Sequence, residues 1–201
     1  ATVMFTDIEG FSSISEKLSP KELATMLNEY FTETSALISR FGGVITQFEG
    51  DAMLITFNAV TPDTDHALNA VRTALAIQDL SERRIYSHGS PLKTRCGINS
   101  GEIVIGAIGS ESRLTFTVHG DNVNIASRLE SLNKEFGTYI LATEDTVHAC
   151  GNHDDIPKWE ERGDVTVRGR EKSTKIFSLP SLKSAPRVLE QKSDSPITSR
   201  D

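Results

Sequence analysis

The order in which apolar periodicities change along the chain limits its fold more than any other feature. Thr2–Thr6 is a short apolar strand run that ends at Asp7. Ser19-Pro20-Lys21-Glu22 reads as a helix start: Ser19 caps, Pro20 takes the first helical position and Glu22 completes a capping box. Leu23, Met26, Leu27, Tyr30, Leu37, Ile38 and Phe41 keep a helical period until Gly42-Gly43 stops it. Val44–Phe48 and Ala52–Phe57 read as strands around a turn at Gly50-Asp51. A second helix is expected over about Thr64 to Glu82, with Ala67, Ala70, Val71, Ala74, Leu75 and Ile77 facing inward. Lys93–Ile98 and Glu102–Ala107 are expected as a hairpin about Ser100-Gly101. The order β-α-β-β-α-β predicts an α+β fold with a ferredoxin-like core, its mostly antiparallel sheet covered by helices on one face.

Beyond that core, a third helix follows Gly120 and runs to about Phe136, stopped by Gly137, with Val123, Ala126, Leu129 and Leu132 inward. Tyr139–Ala142 reads as a strand, Glu144–His148 as a short helix, and Val165–Arg168 with Lys175–Leu179 as a closing hairpin. From about Leu182 the composition turns to Ser, Pro, Lys and Asp. One domain over residues 1–182 is therefore expected, followed by a disordered tail or linker over 183–201.

The 201 residues carry a net charge of -7, which argues against a nucleic-acid partner. It leaves a nucleotide substrate open, because bound cations reverse the sign of a local field. Cys96 and Cys150 form no disulfide framework or metal knuckle and read as reduced thiols, Cys96 in a strand core. No apolar run is long enough to span a bilayer, so the fragment itself is expected to make no membrane contact. The chain opens at Ala1 directly into a strand pattern. It reads as a cytoplasmic domain cut from a longer protein, with room for an upstream sensor or membrane anchor.

Three clusters can carry chemistry. In Phe5-Thr6-Asp7-Ile8-Glu9-Gly10-Phe11-Ser12 an acid ends an apolar strand, and in Phe48-Glu49-Gly50-Asp51-Ala52-Met53 a second acid sits in a tight turn. The β-α-β-β order lets Asp7 and Asp51 meet at a sheet edge as hard-oxygen ligands for Mg²⁺ or Mn²⁺. Taken singly, each is an ordinary turn or cap residue. In Gly120-Asp121-Asn122-Val123-Asn124-Ile125-Ala126-Ser127-Arg128, Asn124 and Arg128 are four apart and share one helix face. An amide beside a guanidinium can orient a ribose and stabilise charge on a phosphoryl group. The plainer alternative is a solvated face with Arg128 paired to Glu130 or Glu135. The third cluster, Val167-Arg168-Gly169-Arg170-Glu171-Lys172, is a basic turn in an acidic chain, suited to terminal phosphates or simply a charged hairpin.

In this order and at these separations the motifs closely resemble the class III adenylyl/guanylyl cyclase catalytic domain, over about Val3 to Leu179. The resemblance implies that Asp7, Asp51 and the Ile8 carbonyl hold two divalent metal ions, Mg²⁺ or Mn²⁺. It makes Asn124 and Arg128 the transition-state pair and sets Arg170 on the triphosphate, where the family usually has Lys. Phe11, in the first of these motifs, and Val118, next to Thr117, are carried over as substrate-binding positions. Gln47 and Thr117 stand where the family selects its purine. The usual adenylyl pattern has Lys and Asp there, and Thr is an alternative seen in a cyanobacterial and bicarbonate-responsive branch. A Gln amide both donates and accepts, so it serves adenine or guanine. ATP is favoured over GTP because the Glu usual in guanylyl cyclases is absent.

The resemblance further implies a homodimer with active sites shared between protomers, Gly109–Phe116 forming part of a dimerisation arm. The implied reaction is attack of the ribose 3′-hydroxyl on the α-phosphate, giving 3′,5′-cyclic AMP and pyrophosphate. Rival readings are a non-catalytic cyclase-like regulatory domain, a two-metal phosphodiesterase or nuclease, and a diguanylate cyclase. The first tends to lose the acids or the Asn/Arg pair, both present here. The second needs His ligands, and His66, His88, His119, His148 and His153 show no metal spacing. The third needs a G-G-[DE]-E-F turn, which Glu49-Gly50-Asp51 is not.

Overall fold

The computed structural model describes residues 1–110, 113–166 and 173–180, with main chain alone at 108–110 and 113–116. Nine strands and five helices form among these residues. They are β1 (Thr2–Ile8), α1 (Phe11–Ser15), α2 (Pro20–Arg40), β2 (Val44–Glu49), β3 (Ala52–Phe57), α3 (His66–Arg83), β4 (Thr94–Ser100), β5 (Val104–Ser110), β6 (Arg113–His119), α4 (Asp121–Phe136), β7 (Ile140–Thr143), α5 (Glu144–Cys150), β8 (Glu160–Thr166) and β9 (Ser173–Ser178). Seven strands build one sheet in the order β2-β3-β1-β4-β7-β9-β8. Only the β4–β7 pairing is parallel. The first four strands of that sheet have the order a ferredoxin-like core requires, with β1 between β3 and β4.

The capping box is formed as expected: the Ser19 hydroxyl accepts from the Glu22 amide, and Glu22 Oε2 accepts from the Ser19 amide at 2.9 Å. Met26, Tyr30 and Ile38 of α2 and the Ala-rich face of α3 enclose the main core with Met4, Ile8, Ile98 and Ile140.

Two expectations are corrected. The helices do not share one face of the sheet. Side chains alternate along a strand, so Met4 and Ile8 point to α2 and α3, while Val3 and Phe5 point the other way. There they pack with Leu54, Val118, Val123 and Ala126, which puts α4 and β6 on the opposite face. The second correction is that β4 and β5 are not a hairpin. β4 already has β1 on one side and β7 on the other, so it offers no free edge. Asn122 Nδ2 takes the Glu102 carbonyl at 2.7 Å, and the chain leaves the sheet there to form a separate ribbon, β5 with β6.

Three elements are absent from the sequence reading or only partly in it: α1, β8 and β6 (Arg113–His119), the last of which the sequence reading gave only as part of a dimerisation arm. α1 is five residues long, too short to show a period. β8 starts at Glu160, five residues before the expected strand, with charged, exposed residues that suit a sheet edge. The domain boundary at 182 and the tail beyond it lie outside the described residues.

Candidate active site

Asp7 lies on β1 and Asp51 in the turn between β2 and β3. Gly50 adopts φ 66°, a left-handed conformation that glycine takes without strain, and so turns the chain tightly enough to aim Asp51 back at β1. Asp51 Oδ2 accepts the Ile8 main-chain amide at 3.1 Å. The two carboxylates feel each other. Burial, and then the neighbouring charge of Asp7, push the Asp51 carboxyl up to about 6. An excess of carboxylate charge at a solvent-accessible strand end is the donor chemistry that a divalent cation relieves. Ile8 itself is buried, and its side chain belongs to the main core. Among the described residues no cluster of three or more His, Cys, Asp or Glu forms a further metal site.

Sequence reasoning missed Arg95 and Glu130. Asp7 and Arg95 are directly opposed across the β1–β4 ladder. Arg95 Nη2 donates to Asp7 Oδ2 at 2.7 Å, and Arg95 Nε donates to Glu130 Oε1 at 3.0 Å. Glu130 is 7% exposed, and burial followed by the charge of Asp7 raises its carboxyl above the usual range. The only sequence signals were an Arg within a strand and a Glu at an inward helix position. Glu130 had been considered as a surface partner for Arg128.

α4 is set against the sheet by its main chain. A Cβ at Gly97 would lie 2.2 Å from the Ala126 carbonyl and 2.3 Å from the Glu130 amide, so helix and strand touch at a glycine. Asn99 Nδ2 donates to the Asn122 carbonyl and side chain, both at 3.0 Å, and Thr143 Oγ1 donates to Asn99 Oδ1 at 2.8 Å. These contacts fix the rotation of the helix. Asn124 and Arg128 then face solvent, Asn124 with no side-chain partner among the described residues. Arg128 reaches Glu135 at 4.0 Å with about half its side chain exposed. The plainer expectation for Arg128 is therefore met by Glu135 and not by Glu130, and an ion pair so exposed is weak.

Gln47 pairs with Leu54 across β2–β3, Leu54 with Phe5, and Phe5 with Gly97, so all four share the sheet face that carries α4. Gln47 Nε2 donates to Glu49 Oε1 at 2.7 Å. Thr117 is half-buried on β6 beside Val118, which is buried in the α4 cluster. Phe11 opens α1 and packs against the main core. Arg170 and the rest of the basic turn lie outside the described residues. Asp7, Ile8 and Asp51 are thus brought into one cluster. Gln47, Asn124 and Arg128 lie on the same side of the sheet without touching it.

A family model described as "Adenylate and Guanylate cyclase catalytic domain" matches residues 1–180. The chain belongs to that family. Adenylate cyclase 1 of Rhizobium meliloti is 39% identical to this cyclase domain over 193 residues, covering 94% of it but 29% of the relative. The crystal structure of the guanylyl cyclase Cya2 superposes with a TM-score of 0.74 at 33% identity, covering 89% of this cyclase domain and 90% of that one. The adenylyl cyclase CyaB from P. aeruginosa superposes with a TM-score of 0.73 at 28% identity, covering 89% and 92%. The chain thus spans less than a third of the curated relative's length. No helix among the described residues is long and apolar enough to cross a membrane.

Proposed function

We propose that this cyclase domain converts ATP to 3′,5′-cyclic AMP and pyrophosphate, in a homodimer whose active sites draw residues from both protomers. The observation that carries the proposal is the pairing of Asp7 and Asp51 at one strand end, with Asn124 unpartnered among the described residues and Arg128 held only by an exposed 4.0 Å approach to Glu135 on the same side of the sheet. Divalent ions held by Asp7, Asp51 and the Ile8 carbonyl would acidify the ribose 3′-hydroxyl and neutralise the triphosphate.

The chain's own groups do the rest. The Ile8 amide keeps the Asp51 carboxylate turned toward Asp7. Asn124 holds the ribose, and Arg128 offers a forked cation to the charge that develops at the α-phosphorus. Both are rigidly placed, because α4 is seated on Gly97 and pinned by Asn99. Such positioning is the main source of acceleration in phosphoryl transfer. Arg170 is assigned to the outer phosphates, and Gln47 and Thr117 to the purine. Residues 1–182 form the catalytic unit, and Gly109–Phe116 contribute to the dimer arm.

The sequence likeness to Adenylate cyclase 1 supports ATP. A guanylyl reading is kept open by one structural observation. A carboxylate can only accept, so the Gln47–Glu49 contact fixes the amide with its nitrogen toward Glu49 and its carbonyl free. That carbonyl accepts equally from the adenine amino group or from guanine N1–H. The test is product formation from ATP and GTP in parallel, with Mg²⁺ and with Mn²⁺, measuring cyclic nucleotide and pyrophosphate together. Cyclic AMP in excess upholds the proposal, cyclic GMP in excess transfers it to guanylyl cyclase, and no product from a dimeric sample overturns it.

A further inference from the structure

We propose that Arg95 is a built-in counter-cation for Asp7 which competes with an arriving divalent ion for the Asp7 carboxylate, and that Glu130 is the positioning residue that keeps the released guanidinium in place. The inference rests on the reading of Asp7 and Asp51 as metal ligands.

The geometry is that of a two-way clamp. One guanidinium bridges two acids through different nitrogens, Nη2 to Asp7 Oδ2 at 2.7 Å and Nε to Glu130 Oε1 at 3.0 Å. The Arg95 and Glu130 side chains are 13% and 10% exposed, and that of Asp7 is 28% exposed. Asp7 is the accessible end of the clamp and Glu130 the closed end. An approaching cation meets Asp7 Oδ2 already engaged. The Nη2 bond can open while the Nε bond holds, because each uses a separate donor of the planar fork. Without Glu130, releasing Asp7 would strand a partly buried guanidinium with no carboxylate, a heavily penalised state. Glu130 therefore lowers the barrier to exchanging an internal cation for a metal ion. Ser131 Oγ lies 3.3 Å from Glu130 Oε2 and steadies the far oxygen.

A buried pair of Arg95 and Glu130 would be complete by itself, yet a third charged group from another strand shares the cation. Among the described residues Asp51, which also faces Asp7, has no cation of its own: its oxygen takes the Ile8 amide instead. The metal-free cluster of Asp7, Asp51, Glu130 and Arg95 holds three acids and one base, leaving room for further positive charge.

The test is Mn²⁺ binding to the nucleotide-free full chain, followed by electron paramagnetic resonance, in wild type, Glu130→Gln, Arg95→Met and the double variant. The neutral double variant replaces a buried ion pair by groups of similar volume and keeps the fold. Glu130→Gln is expected to weaken Mn²⁺ about fivefold when Arg95 is present and less than about twofold when Arg95 is Met. Equal effects in both backgrounds would mean that Glu130 acts through its charge alone, and would overturn the inference. A wild-type measurement stands independently of any variant's folding. On titration with Mg²⁺, the Arg95 Nη–H signals in a nitrogen-resolved NMR spectrum are expected to move while the Nε–H signal stays. An Arg95 spectrum unchanged at saturating Mg²⁺ would likewise overturn it. Asp7→Asn and Asp51→Asn separate the two readings: if neither weakens Mn²⁺, the metal assignment itself fails, whatever Arg95 does.

Discussion

Asp51 and Ile8 are 43 residues apart in the chain, yet the Asp51 carboxylate accepts the Ile8 amide at 3.1 Å and is held there against the charge of Asp7. The arrangement opposes ionisation. Burial and then Asp7 raise the Asp51 carboxyl from 3.8 to about 6. An acid whose pKa is higher folded than unfolded stabilises the fold fully below the unfolded value and loses that contribution as pH rises through the folded one. Asp51→Asn, which keeps an acceptor for Ile8, should therefore raise the melting temperature of the metal-free protein at pH 8. The expected gain is about 2 °C after allowance for solvent screening. At pH 4 the gain should vanish. Thermal denaturation at the two pH values decides it, and an equal gain at both would show that charge is not the cause.

Gly97 tests how α4 is seated. A methyl group there meets main-chain atoms of Ala126 and Glu130 at 2.2 Å and 2.3 Å, which no rotamer change can relieve. Gly97→Ala should lower the melting temperature by at least about 5 °C, the range of an overpacked core in a domain of this size. Gly106→Ala is the control, since nothing lies within 4 Å of its added Cβ. Two equal losses would mean that glycine content in strands, and not helix seating, explains the effect.

The legible part of the molecule was the part written in periodic apolar patterns. The inward positions expected for α3 and α4 are all buried, and Gly137 ends α4 in a left-handed cap. Asp7 and Asp51 could be paired because strand order alone brings their ends together. The fate of β5 was not legible, since its separation from β4 depends on Asn122 reaching the Glu102 carbonyl, a contact between distant residues. Which sheet face α4 takes was hidden for the same reason: Gly97 shows no apolar signal, and its meaning is the absence of a side chain. Arg95 was passed over because a charged residue in a strand carries no sign of its partners, here one acid on β1 and one on α4.

Purine selection should be movable at Gln47. Its amide nitrogen is committed to Glu49, which leaves a carbonyl acceptor that pairs with either base. Gln47→Glu puts a charged acceptor in place of a neutral one, which strengthens a bond from guanine N1–H and repels the lone pair that adenine carries at N1. The ratio of kcat/KM for GTP over ATP should rise about tenfold or more, the scale of one hydrogen bond to a charged group. Parallel assays with both nucleotides measure it. A ratio that does not move would take Gln47 out of the base pocket.

Within one protomer the acids and the Asn/Arg pair are in opposite situations. Asp7 and Asp51 are engaged by Arg95 and Ile8, whereas Asn124 is unpartnered among the described residues and Arg128 has only a 4.0 Å approach to Glu135. A helix face seated so firmly and left so open fits a second copy of the chain, whose acids would complete the site. In a two-fold dimer each site then takes Asp51 from one protomer and Arg128 from the other. Asp51→Ala and Arg128→Ala should each reduce activity by at least about a hundredfold as pure dimers, the usual loss for a group that stabilises developing charge. Mixed in equal amounts and allowed to exchange, half the dimers become heterodimers with one intact site of two, so about a quarter of wild-type activity should return. Differential tags on the two variants establish that exchange has occurred. With heterodimers demonstrated, a mixture as inactive as its components would place both residues in the same protomer's site and would remove the reason for the open face of α4.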